Sequence, residues 1–316
     1  VIEIGLKGWV LFNLAVIFML LLDLGVFNRK AKKVTVKAAL YWTAFWVLLS
    51  MMFNAWIFDQ FGNEAGLDFF TGYILEKSLS VDNLFVFLLI FNYFKVPPHL
   101  QHRVLFLGIL GALVLRGIFI YLGATLVNQF HWVLYIFGAF LVFSGFKLFF
   151  LDDDDDQNPE NVIVRAARKR LRVTEEFVGE KFFVIKDGVR HATPLCLVLI
   201  AVETSDVLFA VDSIPAIFGV TQDPFIVYTS NVMAILGLRS LYFALAGLLE
   251  YFHYLNTGLA AVLVFIGLKM LGAEFVEIGD AVELGVIGAI LLISILASIL
   301  FPKKTEIDLA DEQQNV

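Results

Sequence analysis

Two short stretches hold the residues that could do chemistry. The first is Glu76-Lys77-Ser78-Leu79-Ser80-Val81-Asp82-Asn83; the second is Glu203-Thr204-Ser205-Asp206, with Asp212-Ser213-Ile214-Pro215 six residues on. Their carboxylates, the Asn83 amide and the hydroxyls of Ser78, Ser80, Thr204, Ser205 and Ser213 are hard oxygen ligands. Such donors suit Mn2+, Mg2+ or Ca2+, whereas Cu(I) or tetrahedral Zn2+ would need sulfur or imidazole. The five histidines, His99, His102, His131, His191 and His253, fall outside or at the edges of the apolar runs, and the single cysteine, Cys196, can form neither an internal disulfide nor a paired thiol clamp. The serines have no histidine partner, which argues against a nucleophilic enzyme. No nucleotide-binding loop is visible either.

These acids sit in apolar surroundings. Of the 316 residues 59% are hydrophobic and 17% charged, which excludes disorder and disfavours a soluble enzyme. Against the roughly 20 residues a spanning helix needs, nine runs qualify, at about 8–27, 38–58, 67–94, 103–127, 131–150, 192–218, 224–250, 258–274 and 281–301. The expected fold is therefore all-α and polytopic, a single transmembrane domain over residues 1–316. The net charge of −7 owes much to the loop tract Asp152–Asp156 and is no nucleic-acid signal. The first run is read as a retained helix with its N-terminus outside, because its basic flank Arg29, Lys30, Lys32 and Lys33 follows it. On that orientation 17 of the 23 Lys and Arg residues lie in cytoplasmic segments, so the C-terminus is inside.

An ionised side chain at the bilayer centre costs roughly 2.5–3.5 kcal/mol on insertion scales. Glu76, Asp82, Glu203, Asp206 and Asp212, together with Lys77, Arg116 and Arg239, must therefore pair, bind an ion or be protonated. A purely structural network would join Asp82 to Arg116 and Asp206 to Arg239. Alternatively, the two arginines neutralise idle carboxylates until an ion arrives, or take an anion themselves; the excess of acids favours a cation. At about 100° per residue, Glu203 and Asp206 share a helix face while Asp206 and Asp212 diverge. Convergence of all the acids on one site would require a helix break, for which Pro215 is the candidate; a simple kink at Pro215 is the equal alternative.

The sequence also repeats itself. Ala139-Phe-Leu-Val-Phe-Ser-Gly145-Phe-Lys147 reads against Ala261-Val-Leu-Val-Phe-Ile-Gly267-Leu-Lys269, Leu115-Arg116 against Leu238-Arg239, and Asp82-Asn83-Leu84-Phe85 against Asp206-Val207-Leu208-Phe209. Residues 67–150 and 192–274 thus form two units of three spans each, separated by a cytoplasmic loop at 152–191. An odd number of spans per unit makes the second an inverted copy of the first, a 3+3 arrangement typical of transporters. The loop carries the acid run and Arg165-Ala-Ala-Arg168-Lys169-Arg170-Leu-Arg172, a helix candidate near anionic headgroups and a possible protein-partner site.

At these segments the sequence resembles the TerC family of bacterial integral membrane proteins, in particular its Alx-like branch. The resemblance rests on Glu76–Asn83, on Glu203-Thr-Ser-Asp206-Val-Leu-Phe-Ala-Val-Asp212-Ser-Ile-Pro215, on Thr229-Ser230-Asn231-Val-Met-Ala-Ile-Leu-Gly237-Leu-Arg239-Ser-Leu-Tyr242-Phe, and on Val264-Phe-Ile-Gly-Leu-Lys269. It implies a nine-helix-type protein of the bacterial inner membrane, tied to manganese efflux and, by the family's name, to tellurium resistance. It is also similar to the wider LysE-like superfamily, whose Glu-x-Gly-Asp motif Glu203-Thr-Ser-Asp206 matches except for Ser205. An acid-lined site should repel tellurite, which makes tellurium resistance an indirect phenotype.

The resulting expectation is a secondary exporter of divalent cations, with Mn2+ as the cargo the resemblance favours, protons as counter-ions and no permanently bound cofactor. Asp82, Glu203, Asp206 and Asp212 are its expected ligands, assisted by Glu76 and Asn83. Arg116, Arg239, Lys77, Ser80, Thr204, Ser213 and Asn231 are expected to balance charge or support the site. The rival expectation is a membrane scaffold or metal-delivery partner acting through 152–191, with no turnover. Asp23 and Asn54 have no place in either reading.

Overall fold

The computed structural model describes residues 4–27, 35–150, 162–186, 188–245, 254–275 and 278–301; the side chains at 24–27, 82, 85, 150 and 162 lie outside that description. The basic flank 29–33 and the acid run 152–156 also fall outside the described residues. In chain order the elements are α1 (Leu6–Phe27), α2 (Val36–Tyr93), α3 (Pro98–Gln129), α4 (Val133–Phe150), α5 (Val162–Arg170), β1 (Phe183–Lys186), β2 (Val189–Ala192), α6 (Pro194–Val220), α7 (Pro224–Ile235), α8 (Leu238–Leu245), α9 (Leu255–Leu271) and α10 (Asp280–Leu300).

The protein is mostly helical and belongs in a membrane. The α1, α3, α6 and α10 helices are long and apolar enough to cross, and the bent pair α7–α8 makes a fifth candidate, while α4 and α9 are shorter apolar helices. Many of their large apolar side chains face outward, including Leu11, Phe18, Tyr121 and Ile293. Lipid can solvate them where water would not.

Three local features differ from expectation. The runs at 38–58 and 67–94 share one 58-residue helix, α2, whose backbone leaves helical geometry at Gly62, with φ 90° and ψ −179°. Only glycine takes that conformation without a Cβ clash, so one residue replaces the expected loop. The α6 helix continues through Pro215 to Val220, and the break appears instead in the next span, between α7 and α8, which are bent by 42°. Gly237 there has φ 83°. A proline costs one backbone hydrogen bond and kinks a helix, whereas a positive φ ends it outright. Finally, the helix expected of the basic stretch in the 152–191 loop is present as α5, to Arg170, and beyond it β1 and β2 form a hairpin that the sequence reading did not contain, antiparallel, pairing Phe183 with Ala192 and Lys186 with Val189. The hairpin is fixed to the helices by the Arg103–Glu180 ion pair at 2.7 Å and by the Arg103 guanidinium over the Phe182 ring.

Small residues let α4 and α9 approach closely. A methyl group on Gly267 would stand 2.6 Å from the Gly138 carbonyl oxygen and 2.8 Å from Val142 Cγ2; one on Gly145 would stand 2.8 Å from the Ala260 carbonyl oxygen and 2.6 Å from Val264 Cγ2. The contact set is reciprocal. Shifting Gly138, Val142 and Gly145 by the 122 residues of the sequence repeat gives Ala260, Val264 and Gly267. The helices run antiparallel, because the earlier residue of α4 meets the later residue of α9.

Candidate functional site

Four helices bring the polar residues together. The α2 helix supplies Glu76 and Ser80, α3 supplies Arg116, α6 supplies Asp206, and α7 supplies Asn231; all five residues are at most 5% exposed. Arg116 is the hub. One of its terminal nitrogens, Nη1, donates to Glu76 Oε1 and, at 3.1 Å, to Asn231 Oδ1, while Nη2 lies 3.5 Å from Asp206 Oδ1. Ser80 Oγ donates to the same Glu76 oxygen at 3.2 Å, and the Asn231 amide nitrogen donates to the Val227 carbonyl at 3.3 Å. A guanidinium suits this place because its planar, permanently charged fork can serve several acceptors at once.

Not every buried polar atom on these helices has a partner. Asp206 Oδ2, Asn83 Oδ1, Ser213 Oγ and Arg116 Nε are buried with no hydrogen-bond partner. Thr204 and Ser205 spend their hydroxyls on their own helix, donating to the Ile200 and Ala201 carbonyls at 2.6 and 2.9 Å. Glu203, partly exposed, lies with its carboxylate against Gly111 of α3, where any side chain would collide with it.

The expected ligands therefore separate. Glu76 and Asp206 meet at Arg116, with Glu203 on the adjacent turn of α6. Asp212 turns to α4 instead, accepting a hydrogen bond from Ser144 Oγ at 2.9 Å, as the angular divergence along an unbroken α6 requires. Asp82 lies outside the described side chains. Among the described residues no three His, Cys, Asp or Glu side chains form a ready-made metal cage. The pairing of a purely structural network also differs from expectation: Arg116 joins Glu76 and Asp206, and Arg239 joins Asp23 of α1, with Nη2 3.1 Å from Asp23 Oδ2.

Among the described residues, two buried acids, Asp23 and Glu283, were given no role by sequence reasoning. Asp23 ties α1 to the break before α8. Glu283 of α10, 1% exposed, pairs with Lys269 of α9, which also donates to the Gly219 carbonyl at 3.2 Å. Asp23 could have been suspected as the lone acid of its apolar run, whereas Glu283 sits near a helix start, where an acid is ordinary.

A family model for the integral membrane protein TerC family matches residues 61–306, the stretch that contains every one of these polar groups except Asp23. The chain belongs to the TerC family. Among its relatives, a membrane protein of Myxococcus xanthus is 52% identical over 299 residues, covering 94% of each chain. The Alx protein of Escherichia coli K12, described as a candidate membrane-bound redox modulator, is 52% identical over 297 residues, covering 91% of this chain and 92% of its own. A membrane protein of Rickettsia bellii is 39% identical over 293 residues, covering 93% of this chain and 97% of its own. No solved structure matches the chain.

Proposed function

We propose that this TerC protein is a secondary transporter that exports divalent cations from the cytoplasm, with Mn2+ as the cargo and protons as the counter-ions. One observation carries the reading: two buried carboxylates from different helices, Glu76 and Asp206, are held together by a single arginine, and the second oxygen of Asp206 has no partner. Arg116 acts here as a resident counter-charge. An arriving cation displaces it from the carboxylates, and Glu203, Asp212 and Asp82 complete the oxygen shell as the helices shift. Its departure leaves carboxylates that protons or Arg116 neutralise. Moving a divalent ion outward against an inside-negative potential costs about 4.6 kcal/mol per 100 mV, and this is the reason for coupling to protons.

The architecture behind this reading is nine crossings in the bacterial inner membrane, N-terminus outside and C-terminus inside, with inverted units at 67–150 and 192–274. It is supported by the reciprocal α4–α9 contacts, which exchange as a two-fold axis between equivalent helices would require. It is supported too by the origin of the central groups, Glu76 and Arg116 from one unit and Asp206 and Asn231 from the other. The test is metal flux in proteoliposomes with Mn2+, Ca2+, Mg2+ and Zn2+, with and without a pH gradient. Mn2+ flux that follows the gradient supports the reading; absence of flux for every cation overturns it.

A second reading has its own observation. The 162–192 segment is a folded cap, with an open cleft of about 560 Å3 between it and the ends of α2 and α6, lined by Phe94, Arg168, Phe177 and Leu197 among others. A scaffold or metal-delivery partner could dock there. The redox description of Alx would reach this chain through metal balance rather than thiol exchange, since the sequence carries one cysteine. Tellurium resistance would be equally indirect.

A further inference from the structure

The break between α7 and α8 leaves carbonyl oxygens that no helical N–H can reach. An α-helix ends with four such carbonyls, and at the end of α7 only that of Val232 is served by the backbone, accepting from Leu236 N at 3.0 Å. Gly237, at φ 83°, turns the chain, and its own carbonyl already serves α8 through Leu241 N at 2.9 Å. Of the next two carbonyls in α7, that of Met233 lies 3.4 Å from Ser50 Oγ, whose single proton has the Trp46 carbonyl at 2.9 Å as its shorter acceptor, and that of Ala234 accepts a hydrogen bond of 3.0 Å from Lys77 Nζ. Met233, Ala234 and Ile235 are at most 2% exposed, so water does not supply the missing donors freely.

Lys77 is out of place on ordinary grounds. It lies within the apolar segment of α2, one residue from Glu76, yet among the described residues its acceptor is a carbonyl and not a carboxylate. Three features meet here: a lysine amine, the negative end of a helix dipole, and backbone carbonyls at an interrupted membrane helix. The ends of half-helices in membrane transporters coordinate alkali ions with this same equipment. Lys269 has a similar place at the end of α6, on the Gly219 carbonyl, but it is also ion-paired to Glu283; Lys77 feels the neighbouring Glu76 carboxylate, which is itself bound to Arg116, and gives its hydrogen bond to the helix end.

We infer that the carbonyl end of α7 is a monovalent-cation site, built from the Met233 and Ala234 carbonyls and the Ser50 hydroxyl, in which the Lys77 ammonium stands as a tethered occupant. The protein then needs no free alkali ion to hold α7 and α8 in their bent arrangement. Removing the ammonium uncovers the site and makes the protein dependent on a small cation such as Na+. The inference concerns different atoms from the carboxylates of the proposed exporter, although Lys77 adjoins Glu76, and it stands whether or not Mn2+ is carried.

The experiment uses the full chain and its Lys77→Met and Lys77→Ala variants in lipid nanodiscs. Tm is followed while Na+ replaces N-methylglucamine at constant ionic strength, so that general screening is held fixed. The expected result is a Tm for the unmodified protein that does not change with Na+, and for both variants a Tm that is lower in N-methylglucamine and rises to saturation with Na+, as binding to the folded state alone requires. A variant Tm that is low and unmoved by Na+, or an equal Na+ response in the unmodified protein, overturns the inference. Should the variants not survive purification, the yield of monodisperse protein extracted in Na+ against N-methylglucamine decides: recovery in Na+ supports the site, and equal loss in both removes it.

Discussion

Arg116 bears more of the proposed mechanism than any acid, because it sets which carboxylates are neighbours. Removing one partner of a buried ion pair leaves an uncompensated charge, at a cost of about 3–5 kcal/mol. Arg116→Met is therefore expected to lower the thermal stability of the protein markedly, while the triple change Glu76→Gln, Arg116→Met and Asp206→Asn recovers most of the loss. Thermal denaturation of the single and triple variants checks this, and a triple variant no better than the single one would show that the arginine acts through packing rather than charge. Asp206→Asn keeps the shape of the site but removes a charge from the carboxylate whose second oxygen is unpartnered. It is expected to abolish Mn2+ flux in proteoliposomes, and retained flux would remove Asp206 from the ligand set.

Among the elements, α4 and α9 depend on the absence of side chains. Gly138, Gly145 and Gly267 admit backbone oxygens to within 3.0 Å of where a Cβ would be, and a buried helix pair has little room to yield. Gly267→Val should destabilise by about 1–3 kcal/mol, the usual range for overpacking. If α4 and α9 are equivalent in the proposed repeat, Gly145→Val should cost a similar amount. Denaturation of the two variants side by side tests the reciprocity. A large effect at one position and none at the other would argue that the close approach is local.

For the whole molecule, the cap over residues 162–192 and the helical body are separable predictions. The body contains Glu76, Arg116, Asp206 and Asn231, and the cap meets it through contacts such as Arg103–Glu180 at its periphery. Replacing 171–190 with a short flexible linker is expected to leave pH-driven cation flux near the unmodified rate. Loss of a cellular phenotype with flux preserved would assign the cap to partner binding; loss of flux would make the cap part of the transport cycle.

The sequence by itself determined the solvent of this protein and the residues that matter in it. Successive apolar runs long enough to span a bilayer are satisfied by lipid-facing helices, and the cost of charge there singled out Glu76, Lys77, Arg116, Asp206 and Arg239 before any contact was known. Motif order was enough to suggest the family. Only the tertiary structure decided which charge answers which, because an ion pair between residues 40 or 216 positions apart leaves no trace in local spacing: Arg116 went to Glu76 and Asp206, and Arg239 to Asp23. It also moved the break from Pro215 to Gly237. A proline can be absorbed within a packed helix, and whether a glycine takes a positive φ depends on what surrounds it, here the Trp46 ring where a Cβ would stand. The hairpin at 183–192 escaped for the same reason, since its short strands are fixed by docking onto Arg103 and α6 rather than by any strong alternation of their own.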